Sequence, residues 1–204
     1  MSENLITVRA YSAPTVDSAE ILRYMGVRDA DEGLTALLQD CISDASAFFS
    51  YRVCYREFAV CATEEGMDLG FTYVKSHALQ KNLTGCDRIV LFAATVGLEI
   101  DRLIARYSRL QPAKALCLQS LGAERIEALC DMFCEEMCKR FALEGAFLRP
   151  RFSPGYGDLS LSLQKDIFRV LDCSRKIGLT LNESLLMSPT KSVTAIVGIG
   201  KERL

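Results

Sequence analysis

The chain has 204 residues, of which 50% are apolar and 25% charged, with a formal net charge of −2. This balance excludes fibrous and disordered classes, and the near-neutral charge with no Lys/Arg block leaves no electrostatic footprint for nucleic acid. The length suits one sizeable core, and no Pro/Gly/Ser-rich linker precedes Arg149, so residues 1–204 are read as a single domain.

The opening run MSENLITVRAYSAPTVD lacks the basic region and apolar core of a signal peptide, and no apolar run reaches the length of a membrane span. A cytoplasmic protein with no membrane contact is expected. Asp17 and Glu20 form a capping-box variant for a helix through Ile21, Leu22 and Met25, closed by Gly26. Asp31 to Phe49 predicts a second helix, with Leu34, Leu37, Leu38, Cys41, Ile42, Ala45, Phe48 and Phe49 on a 3.6-residue period. Tyr51–Val60 and Leu69–Lys75 are rich in Tyr, Val and Phe and predict two strands, pairing as a hairpin about Glu64-Glu65-Gly66. Ser76 caps a short helix that ends at Thr84-Gly85. Arg88–Thr95 is a near-continuous apolar run, the pattern of a strand buried on both faces. A helix begins after Gly97, and Pro112 suits the first turn of a long helix to about Glu144, interrupted or bent near Gly122.

After a loop at Ser153–Asp158, a helix is predicted from Leu163 to Leu171. Leu185–Met187 and Val193–Ile199 read as a C-terminal hairpin joined by Ser188-Pro189-Thr190-Lys191. The elements do not alternate as in a doubly wound fold, and no glycine-rich phosphate loop comes after a strand. The predicted class is α+β, an antiparallel sheet with several helices including one long bent helix. Residues 1–148 form the scaffold, and 149–204 carry the loop and the hairpin.

The nine cysteines include Cys130, Cys134 and Cys138 at a spacing of four. On a helix the first and last of these lie about 12 Å apart along the axis, too far for one tetrahedral zinc ion. They are read as small buried hydrophobes facing a neighbouring element. The single histidine, His77, has no partner at ligand spacing and is read as a surface or capping residue.

The octapeptide Arg151-Phe152-Ser153-Pro154-Gly155-Tyr156-Gly157-Asp158 is the densest concentration of unusual chemistry. Pro154 fixes its own φ and pushes Ser153 toward extended geometry, and the glycines bare the main chain to a ligand. Arg151 adds a planar fork for a carboxylate or phosphate, and Tyr156 a flat face with a polar tip. By composition alone the same residues also describe an ordinary turn beside a surface ion pair.

The order of the segments downstream of the octapeptide distinguishes the two. The R-x-x-P-G-Y loop, a helix, the segment Lys176-Ile177-Gly178-Leu179-Thr180-Leu181 and the turn Met187-Ser188-Pro189-Thr190-Lys191-Ser192 succeed one another. This succession resembles the activation domain of cobalamin-dependent methionine synthase, in its free-standing version, most clearly over Glu127–Gly200. The resemblance implies a domain that binds S-adenosylmethionine and presents its methyl group to a cobalamin carried by a partner, the cobalamin-binding methionine synthase core. A flavodoxin-like or other reductase would supply an electron. It implies that Arg151 pairs with the ligand carboxylate, that Ser153 and Gly155 offer main-chain groups to the adenosine end, and that Tyr156 lines the site. Glu127 matches a glutamate that binds the cationic part of the ligand, and is equally read as a solvated helix-face carboxylate. Glu144 lies one position from a second acidic residue of the family.

The chain departs from the family at Gly157-Asp158-Leu159-Ser160, where the enzymes carry Pro-Ala-Cys-Pro-Asp. It departs again at Val197, where a tyrosine of the last strand falls at or near this position. Lys191 and Ser192 are open to two readings, a compensating polar contact or an exposed turn. Two functions are compatible with these residues: a stand-alone reactivation subunit, or a non-catalytic docking or structural partner of a corrinoid methyltransferase that does not bind S-adenosylmethionine.

Overall fold

The computed structural model describes residues 5–201. Strand β1 (Thr7–Ala10) is followed by α1 (Ser18–Tyr24), whose cap Asp17 accepts from Ala19 N and Glu20 N. Helix α2 (Glu32–Ala45) starts at Asp31, which accepts from Leu34 N, and tightens into a single 3-10 turn at Ser46–Phe48. Then come β2 (Arg52–Ala59), the short β3 (Cys61–Ala62), β4 (Met67–Asp68) and β5 (Tyr73–Val74), and helix α3 (His77–Asn82) capped by Ser76. Strand β6 (Cys86–Thr95) leads through α4 (Glu99–Tyr107) to α5 (Pro112–Ala142), the longest element at 31 residues. The chain closes with β7 (Phe147–Leu148), α6 (Gln164–Leu171), α7 (Cys173–Ile177), β8 (Thr180–Leu181), β9 (Met187–Ser188) and β10 (Ser192–Gly200).

The main sheet is antiparallel, in the order β1-β2-β6-β10-β7. Its centre is β6, paired along its length with β2 on one side and β10 on the other, which is why Arg88–Thr95 carries apolar residues at consecutive positions. Val90, Phe92 and Ala94 join Val53, Tyr55, Ala195 and Val197 under α1, α2, α4 and α5. Ile89, Leu91 and Ala93 face the other way, with Cys54, Phe58 and Ile196, onto α3, α6 and α7. The sheet thus has a helical layer on each face. Among the described residues no helix is long and apolar enough to cross a membrane.

Three sequence expectations need correction. β2 does not pair with the segment around Tyr73. The turn at Glu64–Gly66 joins β3 to β4, which with β5 forms a separate three-stranded sheet, while β2 is taken by β1 and β6. The C-terminal hairpin is also differently made: β9 pairs with β8, and β10 enters the main sheet between β6 and β7. In both cases the strand is taken by the apolar central strand β6 rather than by its neighbour in sequence. Helix α5 runs unbroken through Gly122, where the missing side chain admits Lys191: an added Cβ would lie 3.0 Å from Lys191 Cε.

One buried ion pair fixes the start of the chain to α5. Glu124 and Arg125 are 3% and 2% exposed and pair with each other, although they are neighbours in sequence. Arg125 Nη1 also donates to Pro14 O at 2.6 Å and its Nη2 to Thr15 O at 2.8 Å, while Glu124 Oε1 accepts from Asp17 N at 3.1 Å. The pair's remaining hydrogen-bonding capacity goes to the incoming strand-to-helix connection, which is how such groups tolerate removal from water.

Candidate functional site

Beyond β7 the chain turns off the sheet edge at Arg149-Pro150 and returns for one bridge, Phe152 with Ile196 of β10, whose two hydrogen bonds are both 2.9 Å. From there the turn closes on itself: Tyr156 N donates to Ser153 O at 3.1 Å, and Gly155 N to Leu159 O at 2.8 Å. Gly155 and Gly157 have φ of +89° and +55°, which side chains disfavour. At Gly157 a Cβ would also lie 2.9 Å from that of Ala78, so glycine lets the loop rest on α3.

Asp158 is the second anchor. Its carboxylate accepts from the Ser76 hydroxyl, from His77 N at 2.7 Å and from Ala78 N at 3.1 Å, capping α3 from another part of the chain. The Ser76 hydrogen bond, with help from those backbone donors, holds its carboxyl below the usual aspartate range.

With the backbone so fixed, Arg151 crosses to α5. Its Nη2 donates to Asp131 Oδ1 at 2.8 Å and to Glu127 Oε2 at 3.1 Å. Its Nη1 is buried and, among the described residues, has no hydrogen-bond partner. Arg151, Glu127, Ser153, Tyr156 and Val193 line a cavity of about 370 Å³, within the range of small-ligand sites. Glu127 also borders a neighbouring pocket walled by Asp17, Glu20, Asp131 and Glu135, so one side of the arginine faces a strongly negative surface. A guanidinium beside a carboxylate wall suits a ligand carrying an anionic and a cationic group close together.

The site has little acid–base chemistry. Cys134, near Arg151, is pushed up to about 11 by burial, and Cys130 is raised further by the same cause, so neither thiol is a nucleophile at neutral pH. His77 is the exposed first residue of α3. Among the described residues no group of three or more Cys, His, Asp or Glu is placed to hold a metal ion. The cysteine stripe is not buried throughout: Cys130 is in the core, Cys134 is half-buried and Cys138 is exposed, because a spacing of four drifts about 40° around the helix at each step and Met137 and Phe141 hold the buried face at that end.

Four residues singled out by sequence, Arg151, Ser153, Tyr156 and Glu127, therefore share one cavity, with Gly155 in the turn beside it. Glu144 does not join them. It lies past the end of α5, which runs on for roughly 22 Å beyond Glu127 at 1.5 Å per residue, and it pairs with Arg88 at 2.9 Å. Ser192 is buried and spends its hydroxyl on Thr95 and Pro189, and Lys191 lies along Gly122. The turn they belong to is held by Asp101, which accepts from Thr190 N at 2.6 Å. Val197 is 2% exposed beneath the helices, so no aromatic ring enters the site from that position. Asp131 is a site residue that sequence reasoning misses, although its place one turn after Glu127 puts it on the same helix face. Asp158 acts through contacts that no local pattern encodes.

This architecture has a solved counterpart. The reactivation domain of MetH, in a crystal structure bound to AdoHcy, is similar to the chain with a TM-score of 0.67 over 100% of this chain and 81% of that one, at 16% identity. The fold is thus of the reactivation-domain class. Residues 73–202 match the family described as vitamin B12 dependent methionine synthase, activation domain, and the chain belongs to that family. No curated protein matches it.

Proposed function

We propose that this chain is a stand-alone reactivation subunit that binds S-adenosylmethionine and supports reductive methylation of cob(II)alamin on a separate cobalamin-dependent methionine synthase. The observation that carries this reading is the Arg151 cavity: the guanidinium and the Glu127 carboxylate line one small-ligand space, complementary to the carboxylate and ammonium of a methionine moiety. When bound, S-adenosylmethionine supplies a methyl group on a sulfonium leaving group, and the partner's cobalt, reduced by one electron from a flavodoxin-like or other reductase, supplies the nucleophile. What remains for this chain is positioning. Arg151 holds the carboxylate, Glu127 and Asp131 favour the cationic end, and the Ser153–Asp158 turn, pinned by Asp158, sets the rim. Nine free thiols fit a cytoplasmic setting.

Calorimetry with S-adenosylmethionine tests it. Saturable binding is expected, weakened at least about tenfold in Arg151→Ala, since hydrogen bonds to charged groups contribute about 1.5–3 kcal/mol. On a methionine synthase lacking its own activation domain, the cob(II)alamin spectrum should convert to that of the methylated cofactor only with this chain, methyl donor and reductant together. No binding, alone or in complex with the cobalamin protein, would leave only a docking role.

A further inference from the structure

Arg151 stands where two spaces meet. It lines the cavity of about 370 Å³ but not the acidic pocket of about 550 Å³ beside it, whereas Asp131 lines the acidic pocket but not the cavity, and Glu127 borders both. The two hydrogen bonds that Arg151 Nη2 gives to these carboxylates therefore cross the boundary between the spaces. Nη1 lies under cover and takes no part.

A ligand carboxylate entering the cavity thus meets a cation that is already taken. One guanidinium faces two carboxylates, and a third negative group brought against it is repelled by both unless one of them leaves. Asp131 is the one free to leave. Its side chain is 72% exposed against 45% for Glu127, its carboxylate has no other hydrogen-bond partner among the described residues, and it already forms part of the wall of the larger space. Once released it stands among Asp17, Glu20, Glu127 and Glu135 without a cation of its own. A positive group that arrives together with the ligand carboxylate removes that cost.

We propose that Asp131 is a displaceable counter-ion for Arg151, closing the guanidinium in the free chain and yielding it only to a ligand whose carboxylate comes with an ammonium beside it. The proposal rests on the reading of Arg151 as the holder of the methionine carboxylate, and adds to it a means of choice. A bare carboxylate leaves Asp131 uncompensated, an amine without a carboxylate does not displace it, and a zwitterion satisfies both charges at once. Selection of this kind works through a repulsive element that the wrong ligand cannot relieve.

Calorimetry on the full chain with S-adenosylhomocysteine, its desamino form, which keeps the carboxylate, and its decarboxylated form, which keeps the ammonium, reads this out. In the unaltered chain the desamino form should bind at least about tenfold more weakly than the zwitterion. Asp131→Asn should tighten the desamino form about threefold or more, the contribution of one partly exposed ion pair, and leave the decarboxylated form no tighter than before. Glu135→Gln controls for charge alone: it removes the same charge one turn along α5, where Lys139 rather than Arg151 is the partner, and should leave the affinity for the desamino form unchanged. Equal affinity of the unaltered chain for zwitterion and desamino form, no gain in Asp131→Asn, or an equal gain in Glu135→Gln each overturns the counter-ion role and leaves the Arg151 reading standing. If neither the unaltered chain nor Asp131→Asn binds S-adenosylhomocysteine, both fall.

Discussion

Asp158 joins the ligand loop to α3 through one hydroxyl and two backbone donors, so its charge state should be visible in stability. The folded protein holds this carboxyl below its ordinary value of 3.8, chiefly through the Ser76 hydrogen bond. Its contribution is therefore complete above that value and is lost as pH falls through the lower, folded-state value. Asp158→Asn should lower the urea midpoint at pH 7, and the gap to the unaltered chain should narrow on acidification below 3.8; a gap independent of pH would assign the loss to shape alone. The Glu124–Arg125 pair makes a different demand. Arg125→Leu leaves a buried carboxylate and frees two carbonyls, and should cost about 3–5 kcal/mol by urea denaturation. At this scale the sequence shows what is carried by a motif and hides what is carried by a contact. Arg151 and Glu127 are legible because charge and spacing mark them. Arg149 and Arg125 read as ordinary loop or helix polar residues, since their burial is created by elements far along the chain.

Helix α5 connects most of these features. It carries Arg125 toward the N-terminal segment, Glu127 and Asp131 toward the loop, and Phe133 into the sheet, where the ring meets Phe92 at 4.7 Å and Tyr55 at 5.3 Å between centroids. Phe133→Ala should cost about 3–5 kcal/mol, measured as a shift in denaturant midpoint at constant slope. The rings it supports belong to β2 and β6, so the same substitution should raise amide exchange in those strands before α3 is affected. Helices are the legible elements because their caps and 3.6-residue period are local: Asp17, Asp31, Ser76 and Pro112 each open a helix as the sequence predicts. Strand pairing is not. β1 is half-buried at one position and otherwise exposed, which erases the alternation that marks a strand, and β7 has only two residues. Neighbouring runs such as β9 and β10 suggest a hairpin that the central position of β6 overrides.

Across the whole molecule, the two helical layers share one set of strands, because β2, β6 and β10 send alternate side chains into both. Loss of either layer exposes the other through the same backbone, so a single cooperative transition is expected. Tyrosine fluorescence, sensitive to Tyr51 and Tyr55 beneath α5, should coincide with far-UV circular dichroism in urea, and Ile167→Ala on the opposite face should shift both curves equally. Curves that separate would describe two independently melting halves. The class of fold is legible from element order, whereas its connectivity depends on which distant strands flank β6. That connectivity bears on how the protein can be cut for study. The recognisable stretch, 73–202, begins inside the small sheet and omits β1, β2 and both N-terminal helices. An excised fragment with those limits would present the long flank of β6 as a naked, greasy border open to another fragment, and would be expected to clump rather than fold. The portion of the chain with the faintest family imprint is the portion that covers that border.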